Sequence, residues 1–237
     1  LVGYGQWTDV VTRSAEGDEL YAFYGYKTNG VYTSFEDLIS SPVDMRSNSN
    51  PVVTNADGTK SWSTIPGDYN PKTTTYIGDV KFVDVNGDGI IDENDKTKIG
   101  SAMPKWTFGW NNTFRYKNLD LTVFVNGSIG NKVGNYMKMK LTHMNSPWQN
   151  QLVDCGNHAL LAPKNGQAVD NWYYDASNVI VTNPDCAYPR ASINDPSDND
   201  VWSDRFIEDG SYLRLKSITL GYTFDKQLIK KLGLTNL

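Results

Sequence analysis

The chain has 237 residues and a formal net charge of −5, with Lys and Arg scattered singly, so it carries no basic stripe and no expectation of a nucleic-acid partner. Fourteen Tyr, seven Trp and eight Phe accompany a polar mean hydropathy, a pairing that suits strands with one apolar and one wet face. No apolar run reaches the length of a membrane helix, no signal peptide is present, and Leu1 is not an initiator, so further chain is expected upstream.

Taken in chain order, Tyr76 to Val83 is β-branched and aromatic and reads as an extended segment. It runs into Asp84-Val85-Asn86-Gly87-Asp88-Gly89-Ile90-Ile91-Asp92-Glu93-Asn94-Asp95, with oxygen side chains at positions 1, 3, 5, 9 and 12, the spacing of a calcium loop. A hard cation takes about six to eight oxygen ligands, and a chain coiled tightly around one ion supplies them from alternating positions. The expected metal ligands are the side chains of Asp84, Asn86, Asp88, Asp92 and Asp95 and the backbone carbonyl of Ile90. Gly89 permits the sharp turn, and Ile91 is expected to pin the loop to the core beneath it. Asp95 has a shorter arm than the glutamate of helical calcium sensors, so the expected affinity is modest. No amphipathic helix flanks the loop and no second loop of this kind occurs, which favours a structural clip over a sensor. The alternative is an Asp/Asn/Gly-rich surface turn that binds no ion.

From Trp106 to Tyr116 the even positions are Trp106, Phe108, Trp110, Asn112, Phe114 and Tyr116, and the odd ones are small or polar. After a two-residue turn at Lys117-Asn118 the alternation resumes with Leu119, Leu121, Val123, Val125 and Ile129 on one face and Phe124 as an exception on the other. Strands of about 11 residues, the first of them aromatic at both ends, match those that cross a bilayer in a transmembrane barrel. A soluble sandwich would alternate equally well, usually with shorter strands, and Asn112 on the apolar face speaks for it.

The 81 residues from Gly130 to Gly210 carry Trp148, Trp172, Tyr173, Tyr174 and Trp202 and show no assignable periodicity. These aromatics either pack a small core within the connection or offer faces to a sugar or a protein partner. The acidic run Asp195, Asp198, Asp200 and Asp204 reads as a solvated, turn-rich stretch, with a second cation site as the alternative. Cys155 and Cys186 would form one disulfide in an oxidising compartment, worth about 3 kcal/mol for a long loop. From Tyr212 to Phe224 the apolar parity changes phase, so a bulge near Lys216-Ser217 is expected to keep one face apolar. Asp225 to Gly233 reads as a short helical turn stopped by glycine. In outer-membrane barrels short turns face the periplasm. The turns at 117–118 and 225–233 should therefore lie on that side, and both the 130–210 connection and the 84–95 loop outside the cell.

These residues also carry a family resemblance. Gly78-Asp79-Val80-Lys81-Phe82 leading into Asp84–Asp92, then Ile99-Gly100, Pro104, Phe108 to Phe114 and Tyr116 to Leu121, resembles the C-terminal barrel portion of SusC/RagA-type TonB-dependent transporters. Phe23 to Gly30, Ser203 to Lys216 and Thr219 to Phe224 resemble further stretches of that family in the same order. The resemblance implies an all-β fold: part of a large antiparallel transmembrane barrel of about 22 strands with a plugged lumen and long extracellular loops. It implies import of glycans or peptides across the outer membrane. The implied partners are a TonB complex, reached through a missing N-terminal part, and a SusD-like surface lipoprotein, in assemblies that are often dimers of transporter–lipoprotein pairs. Against that pattern, residues 1–237 would be a fragment of the barrel domain, without the plug domain and the final strands.

Catalysis finds little support. His143 and His158 lie in no helical His-Glu motif, no Gly-x-Ser-x-Gly elbow or phosphate-cradling glycine loop occurs, and Glu208-Asp209 are adjacent and would point to opposite faces of a strand. The competing readings are a soluble, calcium-stabilised all-β carbohydrate-binding or adhesin module and part of a secreted hydrolase joined to a dockerin-like loop.

Overall fold

The computed structural model describes residues 3–4, 11–14, 19–146 and 148–231. Most of its regular structure is strand, as expected for an all-β chain. The labelled elements are β1 Ala22–Gly25, β2 Thr28–Val31, α1 Phe35–Ile39, β3 Val43–Asp44, β4 Val80–Phe82, β5 Ile90–Ile91, β6 Trp106–Tyr116, β7 Leu119–Ile129, α2 Tyr136–Leu141, β8 Val179–Val181, β9 Tyr212–Tyr222 and α3 Lys226–Lys231. Among the described residues no helix is long and apolar enough to cross a membrane. The chain divides into two compact units, Leu1–Gly100 with Gly134–Glu208, and Ser101–Val133 with Asp209–Leu237.

The second unit is built on a three-stranded antiparallel sheet in the order β6-β7-β9. β6 and β7 are the two 11-residue strands that alternation predicts, paired without a slip from Trp106↔Ile129 to Tyr116↔Leu119. Lys117 takes φ +54°, the positive value that a two-residue hairpin turn needs at its first central residue. Between β7 and β9 the register shifts: Phe124 pairs with Ser217 and Val125 with Leu215, leaving Lys216 over as the expected bulge. The bulge puts Trp110, Val125 and Leu215 in one row, then Asn112, Val123 and Ile218, then Phe114, Leu121 and Leu220, all on one face. Thr113, Thr122 and Thr219 share the other face, where the hydroxyls of Thr113 and Thr122 lie 3.1 Å apart. The tip of the Phe108 ring covers Gly127, where a Cβ would stand 2.5 Å from its Cζ and 2.9 Å from the Tyr212 carbonyl oxygen, so a side chain has no room there. On the polar face the ring of Phe124, out of phase with its strand, rests against Gly109. β9 ends at Tyr222, two residues before the Phe224 that parity suggested. The helical turn that follows is α3; the glycine stop at Gly233 lies outside the described residues.

The first unit consists of short strands around three apolar clusters. One joins Tyr32, Phe35, Leu38, Trp62, Tyr69, Tyr76 and Ile77 to Val179 and Val181, a second holds Tyr26, Val80, Phe82 and Ile91, and a third holds Met139, Trp202 and Phe206. The 130–210 connection supplies all three buried members of the third cluster, Met139, Trp202 and Phe206, with Phe23 and Ile99 packed against them. It also shares the first cluster with residues 22–100, and backbone bonds such as Val181 N–H to Thr33 O and Arg190 N–H to Gly78 O stitch the two together. The extended stretch expected over Tyr76–Val83 is shorter, because Tyr76 to Asp79 forms a turn through Gly78 at φ +89° before β4 begins.

Candidate functional site

The Asp84–Asp95 loop is closed by its own side chains. Asp84 accepts the N–H of Gly87 at 2.6 Å on one carboxylate oxygen and that of Gly89 at 2.8 Å on the other. Asn86 Oδ1 accepts the N–H of Asp88 at 2.9 Å, Asp88 Oδ1 that of Ile90 at 3.0 Å, and Asp92 Oδ1 that of Asn94 at 2.7 Å. Gly87 and Gly89 hold φ +79° and +85°, a region that penalises a side chain. Asp95 is fully buried, and its two oxygens take the N–H groups of Val85 and Asp92, each at 2.8 Å. Ile91, also fully buried, inserts between Tyr26, Val80 and Phe82 as the sequence suggested, and its strand β5 pairs in parallel with β3.

These oxygens form a hard donor set of the kind that suits calcium or magnesium. An ionised carboxylate offers about four lone-pair sites, so Asp84 and Asp88 keep acceptor capacity after their backbone bonds. The arrangement is looser than a closed cage: among the described residues, no three of the loop's carboxylates have ligand atoms within 4.8 Å of one another. Asp84, Asn86, Asp88 and Asp92 thus line an open turn, whereas Asp95 is engaged as the internal lock that ties position 12 back to position 2.

The acidic run is only partly the solvated stretch expected from composition: Asp198 is exposed, but its neighbours are engaged within the fold. Asp195 and Asp200 are largely buried on either side of the His143 ring, and Asp204 Oδ1 accepts both the N–H and the hydroxyl of Thr28 at 3.2 and 2.7 Å. Pairing with Asp195 raises the His143 imidazole above its ordinary range, and desolvation of its carboxyl together with the neighbouring Asp200 pushes Asp198 up to about 6. Sequence reasoning also missed the pair Asp79–Arg190, in which Nε and Nη2 of Arg190 donate to the two Asp79 oxygens at 2.7 and 3.1 Å. The partners lie 111 residues apart and no local pattern marks them.

Of the aromatics in the 130–210 connection, Trp202 is buried against Phe206 and Phe23. Trp172 packs half-buried on the large core, and the Tyr173 and Tyr174 rings lie 4.5 Å apart. Trp148 is 92% exposed. Both cysteines are free thiols, so the disulfide considered from their number is not formed. Burial raises the pKa of each, which leaves them poor nucleophiles.

No protein-family model matches the chain. TonB-dependent receptor P3 of Formosa agariphila is 29% identical over 219 residues, covering 92% of this chain and 16% of that protein. TonB-dependent receptor P26 of the same organism is 32% identical over 158 residues, 67% of this chain and 13% of that protein. TonB-dependent receptor SusC of Bacteroides thetaiotaomicron is 27% identical over 143 residues, 60% of this chain and 12% of that protein. The chain thus spans 16% or less of the length of each of these curated relatives. With these similarities running over most of its length, and a sheet whose strands have the length and one-sided apolar face of barrel strands, the chain is a segment of a SusC-like TonB-dependent receptor.

Proposed function

We propose that this chain contributes membrane-crossing strands and surface structure to an outer-membrane transporter that imports glycans or peptides. The observation that carries the reading is the apolar face of the β6-β7-β9 sheet, interrupted by Asn112, on which Trp110, Phe114, Leu215, Ile218 and Leu220 are all more than half exposed. Water does not favour so large an apolar face on a sheet, whereas lipid does. In the complete protein these strands belong to a closed barrel of about 22 strands, because sheet edges are not tolerated in hydrocarbon. The tight Lys117-Asn118 turn faces the periplasm, and the connection from 130 to 210 with the Asp84–Asp95 loop faces outside. There calcium is abundant enough to load a weak site, and Asp84, Asn86, Asp88, Asp92 and the Ile90 carbonyl hold the ion as a structural clip, with Asp95 locking the loop beneath them. TonB supplies energy, and a SusD-like lipoprotein covers the mouth, in assemblies of transporter–lipoprotein pairs.

The test uses the full-length receptor. It should extract from the outer membrane only with detergent, as a polypeptide several times heavier than 26.5 kDa, together with a surface lipoprotein. Cells lacking it should lose uptake of at least one member of a panel of oligosaccharides and peptides. A water-soluble 26.5 kDa protein would overturn the reading and leave the calcium-stabilised binding module in front.

A further inference from the structure

His143 follows Thr142, the residue that caps the C-terminal end of α2. Its ring stands between two carboxylates from one later segment: Nδ1 is 3.1 Å from Asp200 Oδ2, and Nε2 is 3.5 Å from Asp195 Oδ2. The three side chains are 17%, 15% and 9% exposed, for His143, Asp200 and Asp195 respectively. A neutral imidazole has one N–H and one lone pair, so in this position it would aim the lone pair at an anion. Nε2 is buried with no hydrogen bond formed, and a second proton there gives it an ion-pair contact with Asp195 at 3.5 Å. Only the imidazolium presents an N–H to both carboxylates.

The other charges around the ring fit that account. Lys140, on α2 itself, opposes the proton, and Arg190 and Arg205 line the same small cavity as the ring. Asp198 faces Asp200 and adds to the negative field. His143, Asp195 and Asp200 each bring one ligand atom within 4.8 Å of the others, the grouping that the second cation site considered for the acidic run would need, but the two carboxylates address different ring nitrogens and two arginines share the cavity, which favours a proton over a metal ion. The far side of the 195–200 segment is held independently: Asn199 Oδ1 accepts the N–H of Val80 at 2.7 Å, and Arg46 Nη2 donates to the carbonyl of Ser197 at 2.9 Å.

We propose that His143 is a proton-controlled latch, which as imidazolium ties the end of α2 to the 195–200 segment and on losing its proton lets the two part. The direction of the pH effect follows from linkage. The folded pKa of His143 lies above the unfolded value of about 6.5, so the latch is fully set below that pH and is lost as pH rises through the folded value. Asp198 acts in the same sense: its folded carboxyl keeps a proton up to about 6, so its contribution also falls as pH rises towards that value.

Hydrogen–deuterium exchange on the full-length receptor, corrected for intrinsic rates, tests this between pH 6 and 9. Peptides covering 136–146 and 190–202 should lose protection at least tenfold as His143 titrates, while a peptide covering 76–83 stays constant. His143→Gln should show low, pH-independent protection in both peptides, and His143→Arg should stay protected throughout because its charge persists. A flat profile in the native receptor, or the native profile reproduced by His143→Gln, overturns the latch. Protection at pH 8 that EDTA removes and zinc restores, in the native receptor but not in His143→Gln, overturns it in favour of a metal. Should the variants not fold, the native profile with its 76–83 control decides alone.

Discussion

Asp79 is fully buried and carries four kinds of partner: the Arg190 guanidinium, the Ser197 hydroxyl, the Asn199 amide and the N–H of Tyr76. Arg190 in turn donates to the carbonyl of Pro71 at 2.9 Å and stacks over the Tyr76 ring. Each member satisfies the others, so removing one leaves a charge without compensation. Arg190→Ala should cost the receptor about 3–5 kcal/mol in denaturant titration, because the Asp79 carboxylate stays behind unpaired. Replacing both by apolar residues of similar volume should recover most of that loss. The Asp84–Asp95 loop separates two roles in the same way. Asp84→Ala with Asp88→Ala should abolish the heat of binding at millimolar calcium, and unchanged heat would remove the site. Asp95→Ala should instead destabilise the loop even without calcium, by about 1–3 kcal/mol for each backbone N–H it strands.

At the scale of elements, the two faces of the β6-β7-β9 sheet are expected to make opposite demands. Ile218 lies in the middle row with Asn112 and Val123, and its neighbour Thr219 points to the other face. In the full receptor Ile218→Lys should cost about 2–4 kcal/mol, the penalty of a cation near the bilayer midplane, and Thr219→Lys much less. Equal costs, read from urea unfolding in lipid vesicles, would mean that neither face meets hydrocarbon. These strands were legible from sequence down to the bulge at Lys216 because a two-residue period is a local property and each strand is long enough to repeat it. The Asp84–Asp95 loop was legible as a turn for a similar reason, its closing bonds spanning no more than ten residues. The first unit was not. Its strands are two to five residues long, too short to display a period, and its strongest polar contacts join Asp79 to Arg190, Ser197 and Asn199 across more than a hundred residues. The acidic run misled in part for that reason: Asp198 is exposed as composition suggested, while Asp195, Asp200 and Asp204 meet His143 and Thr28 from elsewhere in the chain.

For the whole molecule, the two units ask for different surroundings. The first has apolar clusters of its own and a dense polar network centred on Asp79. The sheet of the second exposes its apolar face and, among the described residues, pairs β6 and β9 on one side each. A three-stranded sheet with two open edges satisfies neither solvent: water disfavours the face, and hydrocarbon disfavours the unpaired N–H and C=O groups along the edges. The 237-residue polypeptide made alone should therefore aggregate in water and stay fully accessible to protease when mixed with lipid vesicles. The same residues within the complete receptor should resist protease over β6, β7 and β9, since neighbouring strands then complete both edges. Protection in the isolated polypeptide, or a stable monomer in water, would mean that the apolar face is covered from within this chain and that the strands do not need a barrel.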